Sequence, residues 1–167
     1  MSAASHRARP HAAAHDEPPR ALVGRADDRM RVKLQLEIPS DVRYIERVVE
    51  IVAKQCAQFA YPQRQTCLNI PVALSEALSN AILRGNGDGS DKHVQVKVDV
   101  TQDRLILEVL DEGLGFDFED CLQDPTEPDN IEREDGRGLF LMTRLMDRIE
   151  RFSNHGNVVR MTLRRHD

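Results

Sequence analysis

The sequence predicts an α+β fold: a two-layer sandwich in which helices cover one face of a mixed, mostly antiparallel sheet. Alternating apolar and polar residues, typical of half-buried strands, occur at residues 32–38, 94–110, 149–152 and 158–163. Between these stretches, apolar residues recur every three or four positions, as on the buried side of a helix. The predicted order is strand, helix, helix, strand, strand, long loop, helix, strand, strand.

The overall composition fits one compact domain preceded by a tail. The chain has 167 residues, a formal net charge of −5 and a pI of about 5.7. Residues 1–30 are rich in Ala, Arg, His and Pro and have no apolar period, so we expect a disordered tail there. Residues 31–167 are then expected to form the folded domain.

Charge and cysteine content argue against several classes of protein. The acidic balance disfavours direct binding of nucleic acid, which would require a basic face. Three cysteines occur without a C-x-x-C pair, which indicates a reducing compartment rather than disulfides or a zinc site. No apolar run approaches the roughly 20 residues of a membrane span, and the first residues lack the apolar segment of a signal peptide. We therefore expect a cytoplasmic protein with no membrane partner.

The first strand and the first helix of the predicted domain are core elements. Residues 32–38 alternate in polarity, and Pro39 ends the strand. Ser40 is a suitable N-cap for the next helix. In that helix apolar residues recur at helical spacing over residues 45–59, and the helix ends before Pro62.

The second helix is predicted from Pro71 to Asn86 and carries two polar residues of interest. Proline is tolerated in the first turn of a helix, where its missing N–H does no harm. Glu76 and Asn80 are four residues apart, so both project from one stripe. The neighbouring stripe is apolar and consists of Leu74, Leu78, Ala81 and Ile82. Either the polar pair lines a site beside this seam, or both side chains face water on an ordinary amphipathic helix.

An amide and a carboxylate one turn apart suit metal-assisted phosphate chemistry. The side-chain oxygen of Asn80 is a hard ligand that Mg²⁺ accepts together with waters and phosphate oxygens. Glu76 could accept a proton from an attacking hydroxyl group or water. Arg84, one turn further along, either faces the same pocket or is solvated.

A β-hairpin follows within residues 94–110, and a glycine motif lies at its end. The motif is Asp111-x-Gly113-x-Gly115. A carboxylate that only accepts hydrogen bonds suits the exocyclic amino group of adenine, and glycines permit close approach of a flat ligand. The same residue types are also usual in an ordinary turn.

A long acidic loop and a second glycine motif precede the third helix. Residues 117–135 have no clear period, and connections of this length are usually lids or binding loops. Gly136-Arg137-Gly138 then opens a helix, where exposed N–H groups favour a phosphate, although a plain glycine-rich helix entry has the same pattern. Neither a P-loop nor a dinucleotide-binding fingerprint occurs in the sequence.

Taken together and in this order, the three motifs resemble those of the GHKL ATPase superfamily. The resemblance rests on E-x-x-x-N within a helix, D-x-G-x-G after a strand, a long loop, and G-x-G opening a helix. Within that superfamily the strings SEALSNAI, DEGLGFD and GRGLFLM look like those of the anti-sigma-factor serine kinases of the RsbW type. The likeness extends over residues 34–164 and implies the ATP-binding GHKL (Bergerat) version of the sandwich.

The resemblance implies a role for each matching residue. Glu76 matches the candidate catalytic base, Asn80 the Mg²⁺ ligand, and Asp111 the carboxylate that binds adenine. The other matches are nucleotide-binding positions, with two arginines as alternatives for one phosphate contact: Gly113, Gly115, Arg133, Gly136, Arg137 and Gly138. Two positions depart from the family, since Arg84 stands where histidine is common, and Asn157 stands where threonine often follows the glycine before the last strand.

The implied activity is that of an ATP- and Mg²⁺-dependent protein-serine kinase. Similar proteins phosphorylate a serine on a STAS-type antagonist, hold a sigma factor in alternation with it, and act as homodimers. An alternative is an ATP-gated module that switches partners without phosphotransfer. The catalytic half of a histidine kinase fits less well, because no upstream helical pair carries a phosphoacceptor histidine.

Overall fold

A computed structural model describes residues 30–87, 91–113, 137–153 and 155–166. The predicted tail up to residue 29 and the whole acidic loop lie outside these ranges, as do Gly115, Arg133 and Gly136. The described elements follow the predicted order of strands and helices.

The described strands form one sheet. They are β1 (Arg31–Pro39), β2 (His93–Thr101), β3 (Arg104–Asp111), β4 (Arg148–Ser153) and β5 (Asn157–Arg164). Their order in the sheet is β1-β2-β3-β5-β4, and each neighbouring pair is antiparallel. The closing strand β5 therefore lies beside β3, and this register places Asn157 opposite Asp111.

Three helices contribute to the core on the buried side of the sheet. They are α1 (Ile45–Gln58), α2 (Ile70–Asn80) and α3 (Arg137–Leu145). Helix α2 contacts both α1 and α3. The valines of β2 that alternate along the strand are buried against these helices, as the period-2 pattern predicts. Leu74 and Leu78 of α2 are fully buried in the same cluster.

The central helix is longer than predicted. A π-helical turn, Gln65–Asn69, precedes α2, and a second one, Ala81–Gly85, follows it, so the helix does not begin at Pro71. A proline inside an α-helix removes a hydrogen bond and clashes with the carbonyl four residues earlier. The wider π-helical turn before Pro71 lets the helix extend toward the N-terminus past that constraint.

The predicted cap of the first helix is displaced by one residue. A 3₁₀ turn, Val42–Tyr44, leads into α1, and its N-cap is Asp41, whose carboxylate accepts a hydrogen bond from the N–H of Arg43 at 2.9 Å. Ser40 instead accepts a hydrogen bond from the side chain of Asn86 at 3.2 Å. The serine therefore stabilises a tertiary contact rather than the helix start.

The continuous helix over Gln65–Gly85 has 21 residues and contains an 18-residue window with a mean hydropathy of 1.2, so it matches a membrane span in length and composition. A core helix meets the same criterion. Here Ile70 and Leu74 are fully buried in the core cluster that the described residues form. Its apolar character is therefore explained by packing between α1, α3 and the sheet.

Candidate active site

Asp111 is a buried carboxylate at the end of a central strand. It is the last residue of β3 and is only 7% exposed. Its Oδ1 accepts two hydrogen bonds, one from the N–H of Gly113 at 2.8 Å and one from the side-chain amide of Asn157 at 2.7 Å. Within the described ranges, no hydrogen bond reaches its second oxygen, Oδ2. A buried carboxylate oxygen in this state is an acceptor for a ligand donor.

Three glycines pack against Asp111 and its neighbours at distances that exclude a side chain. A Cβ added to Gly85 would overlap the carboxyl group of Asp111, with Oδ1 only 2.7 Å away. A Cβ on Gly113 would overlap the carbonyl oxygen of Gly85, and a Cβ on Gly156 would overlap the carbonyl oxygen of Asp111. Gly156 also has a φ of 147°, which disfavours any L side chain. We call the following five residues the carboxylate cradle: Gly85, Asp111, Gly113, Gly156 and Asn157.

A second buried amide ties the end of the central helix to the sheet. The side chain of Asn86, 3% exposed, accepts a hydrogen bond from the N–H of Glu112 at 2.8 Å and donates one to the carbonyl of His93 at 3.0 Å. Lys92 donates to its backbone carbonyl at 3.0 Å. Because these bonds join the helix end to β2 and β3, they hold Gly85 against Asp111.

Glu76 and Asn80 lie further toward the N-terminus of the same helix. Both are half-buried, and neither side chain has a hydrogen-bond partner among the described residues. A Cβ added to Gly138, in the first turn of α3, would overlap Oε2 of Glu76. The helix start therefore rests directly on the carboxylate of Glu76, and we call Glu76, Asn80 and Gly138 the Glu76 site.

One helix connects the two groups of residues. Glu76 and Gly85 are nine positions apart, which corresponds to roughly 13 Å along a helix axis. The π-helical turn Ala81–Gly85 lies between them and is closed by a 2.8 Å hydrogen bond from the N–H of Asn86 to the carbonyl of Ala81. Such turns occur frequently at functional sites, because they change the direction of the residues that follow.

Most of the predicted site residues that the structure describes lie in these two groups. Asp111 and Gly113 belong to the carboxylate cradle, whereas Glu76, Asn80 and Gly138 form the Glu76 site. Arg137 is exposed at the start of α3, and Arg84 is also exposed. The other three predicted residues are outside the described part of the chain and stay predictions: Gly115, Arg133 and Gly136.

Sequence reasoning did not place Gly85, Asn86 and Gly156 in the site. Gly85 lies near the end of the predicted helix, and only its contact with Asp111 reveals why a side chain is excluded there. Asn157 was predicted in the turn before the last strand and noted only as a departure from the family, whereas it is the first residue of β5 and its buried amide binds Asp111.

The residues of the Glu76 site fit Mg²⁺ better than they fit a metal held by protein alone. Among the described residues, no group of three or more His, Cys, Asp or Glu side chains could hold a metal ion. Mg²⁺ commonly takes one or two protein oxygens and completes its octahedron with waters and phosphate oxygens. The amide oxygen of Asn80, which has no hydrogen-bond partner among the described residues, suits this mode of binding.

The chain matches the family of histidine kinase-like ATPase domains over residues 38–163. It is 31% identical over 134 residues to serine-protein kinase RsbW of Bacillus velezensis, covering 77% of this chain and 83% of that protein. Serine-protein kinase RsbW of Bacillus subtilis is 30% identical over 130 residues, 75% of this chain and 80% of the relative. Anti-sigma F factor of Clostridium beijerinckii is 27% identical over 99 residues, 58% of this chain and 68% of the relative.

A solved structure supports the same fold. The RsbU and RsbW domains of a Mycobacterium tuberculosis protein superpose with a TM-score of 0.56 at 14% sequence identity. The match covers 80% of this chain and 32% of that longer chain. The predicted α+β sandwich is therefore confirmed.

The sheet, the helices and the match over most of its length define the class: the chain belongs to the histidine kinase-like ATPase family. Within that family it groups with the RsbW serine-protein kinases and is a protein serine kinase of the anti-sigma-factor type. The family resemblance deduced from three separated motifs is therefore confirmed.

Proposed function

We propose that the protein transfers the γ-phosphoryl group of ATP to a serine of a STAS-domain anti-anti-sigma protein. It does so with Mg²⁺ and binds a sigma factor in alternation with that substrate. The observation that carries the proposal is the packing of Gly138 on Glu76, which places a carboxylate with no described partner at the start of a helix. Helix starts favour phosphate groups, and a carboxylate beside one is suited to accept a proton.

In the proposed reaction, Glu76 accepts the proton of the substrate serine. The bond between the serine Oγ and the γ-phosphorus forms while the bond between the γ-phosphorus and the bridging oxygen breaks. ADP leaves with the electron pair of the broken bond. Such transfer depends mainly on positioning and on neutralisation of the phosphate oxygens. Gly136 and Gly138 supply backbone N–H groups near the phosphates, and Arg133 or Arg137 supplies a positive charge.

The base of the nucleotide is proposed to lie in the carboxylate cradle. Oδ2 of Asp111 accepts a hydrogen bond from the exocyclic amino group of adenine, while Gly113 and Gly115 leave room for the ring. Support comes from the two bonds that already occupy Oδ1, since they fix the carboxylate and leave Oδ2 available. Binding through a fixed acceptor favours a ligand that carries a donor at that position.

Asn80 is proposed to hold Mg²⁺ through its side-chain oxygen. When bound, Mg²⁺ neutralises charge on the phosphate oxygens and orients them. Asn80 lies between Glu76 and Gly85 on the central helix, which suits a ligand that extends from the carboxylate cradle to the Glu76 site.

We further propose that the protein is a cytoplasmic homodimer that contacts neither nucleic acid nor a membrane. The homodimer and the compartment follow from the resemblance to RsbW-type kinases, and the names of the relatives, serine-protein kinases and an anti-sigma F factor, agree with protein partners. The acidic net charge of −5 agrees with protein partners rather than nucleic acid.

Co-expression with a STAS-domain anti-anti-sigma protein tests this function. Mass spectrometry of the purified partner should reveal one phosphoserine, which should be lost with Glu76→Gln. Isothermal titration with Mg²⁺–ATP should give the same affinity for both forms of the kinase. If ATP binds and alters partner affinity, yet no phosphoserine forms, the protein is an ATP-gated switch without phosphotransfer.

A further inference from the structure

We infer that Asn157 is a positioning residue that sets the adenine selectivity of this kinase by fixing which oxygen of Asp111 faces the nucleotide. The inference rests on the proposed binding of adenine at the carboxylate cradle. Asn157 is the first residue of β5 and lies opposite Asp111 in the sheet. It is 5% exposed, so its polar side chain requires partners inside the protein.

Asn157 uses both hydrogens of its amide within the cradle. One goes to Oδ1 of Asp111 at 2.7 Å, and the other goes to the carbonyl oxygen of Gly113 at 3.1 Å. The two residues it joins lie on either side of the strand end, so the amide holds the chain between them in a closed loop. A hydroxyl group has a single hydrogen and could make only one of these bonds.

Arg151 sets the orientation of that amide. Its guanidinium group on β4 donates to Oδ1 of Asn157 at 3.3 Å. With the carbonyl end of the amide directed at a cation, the NH₂ end points to the carboxylate of Asp111. The cation, the amide and the carboxylate form a chain across three strands, β4, β5 and β3. Such chains are cooperative, since each bond polarises the next.

The two oxygens of Asp111 therefore have different roles. Oδ1 is occupied by Asn157 and by the N–H of Gly113, whereas Oδ2 lies against Gly85. A ligand therefore meets a carboxylate that cannot rotate to present a different acceptor. Without Asn157 the carboxyl group would lose one of its two restraints, and its discrimination between an amino group and a carbonyl group would weaken.

The test compares ATP with inosine triphosphate, in which an oxygen replaces the 6-amino group of adenine. Isothermal titration with Mg²⁺ should give wild-type protein a preference for ATP of roughly 10- to 100-fold, the range expected for a hydrogen bond to a charged acceptor. In Asn157→Ala the preference should fall by about tenfold. Asn157→Thr, which can restore one of the two bonds, should recover part of it.

A second pair of variants keeps the test independent of folding at the buried site. Arg151→Met removes the cation that orients the amide, and its matched control is Arg148→Met, from the same strand, which removes only an exposed ion pair with Glu150. Arg151→Met should lower the preference for ATP by about threefold, while Arg148→Met should leave it unchanged. Thermal unfolding without nucleotide identifies any variant that is simply misfolded.

The outcomes separate this inference from the proposed function. If wild-type protein prefers ATP but Asn157→Ala and Arg151→Met weaken both nucleotides equally, Asn157 is structural only and the inference is wrong. If wild-type protein binds neither nucleotide, the proposed function itself fails. A loss of preference in Asn157→Ala with partial rescue by threonine supports the inference.

Discussion

The carboxylate cradle and the Glu76 site are built on opposite principles, although one helix carries part of each. In the cradle, Oδ1 of Asp111 is held by two hydrogen bonds and three glycines exclude side chains around it. In the Glu76 site, the polar side chains of Glu76 and Asn80 have no described protein partner. The first region is assembled by folding, whereas the second offers polar groups to a ligand.

This difference predicts which step each region controls: ligand selection by the carboxylate cradle and phosphotransfer by the Glu76 site. A rigid acceptor discriminates between ligands, because its geometry was fixed before binding. Side chains that gain their partners only in the complex can respond to the charge that develops during reaction. We therefore expect substitutions in the cradle to change nucleotide affinity and selectivity, and substitutions in the Glu76 site to change phosphotransfer.

Glu76→Gln is expected to have the largest effect on activity. The amide keeps the size of the side chain but cannot accept the serine proton, so the rate of transfer should fall by roughly 10²- to 10⁴-fold. ATP affinity should be unchanged. Single-turnover transfer to the partner and titration with ATP measure the two quantities, with Glu50→Gln on the exposed face of α1 as the control. Transfer at the wild-type rate would remove Glu76 from the mechanism.

Alanine substitutions at two glycines compare the two regions directly. In Gly113→Ala the new Cβ would overlap a main-chain carbonyl, that of Gly85, so the strand end must move. In Gly138→Ala it would meet only the end of the flexible Glu76 side chain. We expect Gly113→Ala to lower the free energy of unfolding by about 2–3 kcal/mol and to abolish measurable ATP binding.

The second glycine variant is the matched control for the first. Gly138→Ala should unfold within about 1 kcal/mol of wild type, because Glu76 can rotate away, and should transfer phosphate more slowly. Chemical denaturation and the transfer assay measure these changes. Equal loss of stability in both variants would contradict the distinction between a rigid and an adaptable region.

Asp111→Asn sharpens the description of the cradle. The amide oxygen can still accept the bonds from Gly113 and Asn157, but an NH₂ group then replaces Oδ2 as the group that faces the base. ATP affinity should fall by about tenfold or more, because two donors would meet. Affinity for inosine triphosphate should fall less, and titration of both nucleotides measures this difference. An unchanged ratio would place the base elsewhere.

Asn80→Ala should have a smaller effect that depends on the metal. Loss of the amide oxygen is expected to weaken Mg²⁺–ATP binding by roughly tenfold. When a chelator removes Mg²⁺, Asn80→Ala should bind ATP as wild type does. The neighbouring control Ser79→Ala should bind Mg²⁺–ATP with wild-type affinity. A loss of affinity that is the same with and without Mg²⁺ would argue against a metal ligand at Asn80.

The fold was largely predictable because each strand and helix has its own apolar period. The alternating valines of β2 and the apolar stripe through Leu74 and Leu78 predicted the sheet and the central helix, and both are buried as expected. The start of that helix was predicted too late, because Pro71 suggested a first turn. Proline specifies only its own φ, and the preceding π-helical turn depends on packing that a local pattern does not contain.

The site could be predicted only where the spacing of residues within one helix or strand fixes their relative positions. Glu76 and Asn80 share a stripe by helical spacing alone, so they could be paired from the sequence. The contact between Gly85 and Asp111 joins residues 26 positions apart and is set by the way the helix end meets β3. The bonds between Asn157 and Asp111 depend on the register of β5 beside β3, which the sequence does not specify.

The smallest expected effect lies outside both regions, on the exposed face of the sheet. Asp99 pairs with Arg31 there, and the hydrogen bond from that guanidinium lowers the pKa of the carboxyl group. The pair therefore stabilises the fold above the unfolded-state pKa of Asp, and this contribution is lost as the pH falls through the lower folded-state pKa. Asp99→Asn should reduce the melting temperature by a few degrees at most near pH 7 and by progressively less as the pH falls through the folded-state pKa of Asp99, as scanning calorimetry can measure. ATP affinity, the preference for adenine and phosphotransfer should all match wild type, because the ion pair belongs to neither the carboxylate cradle nor the Glu76 site. A change in any of them would mean that the exposed face is coupled to the site, and the two-region description would then have to include it.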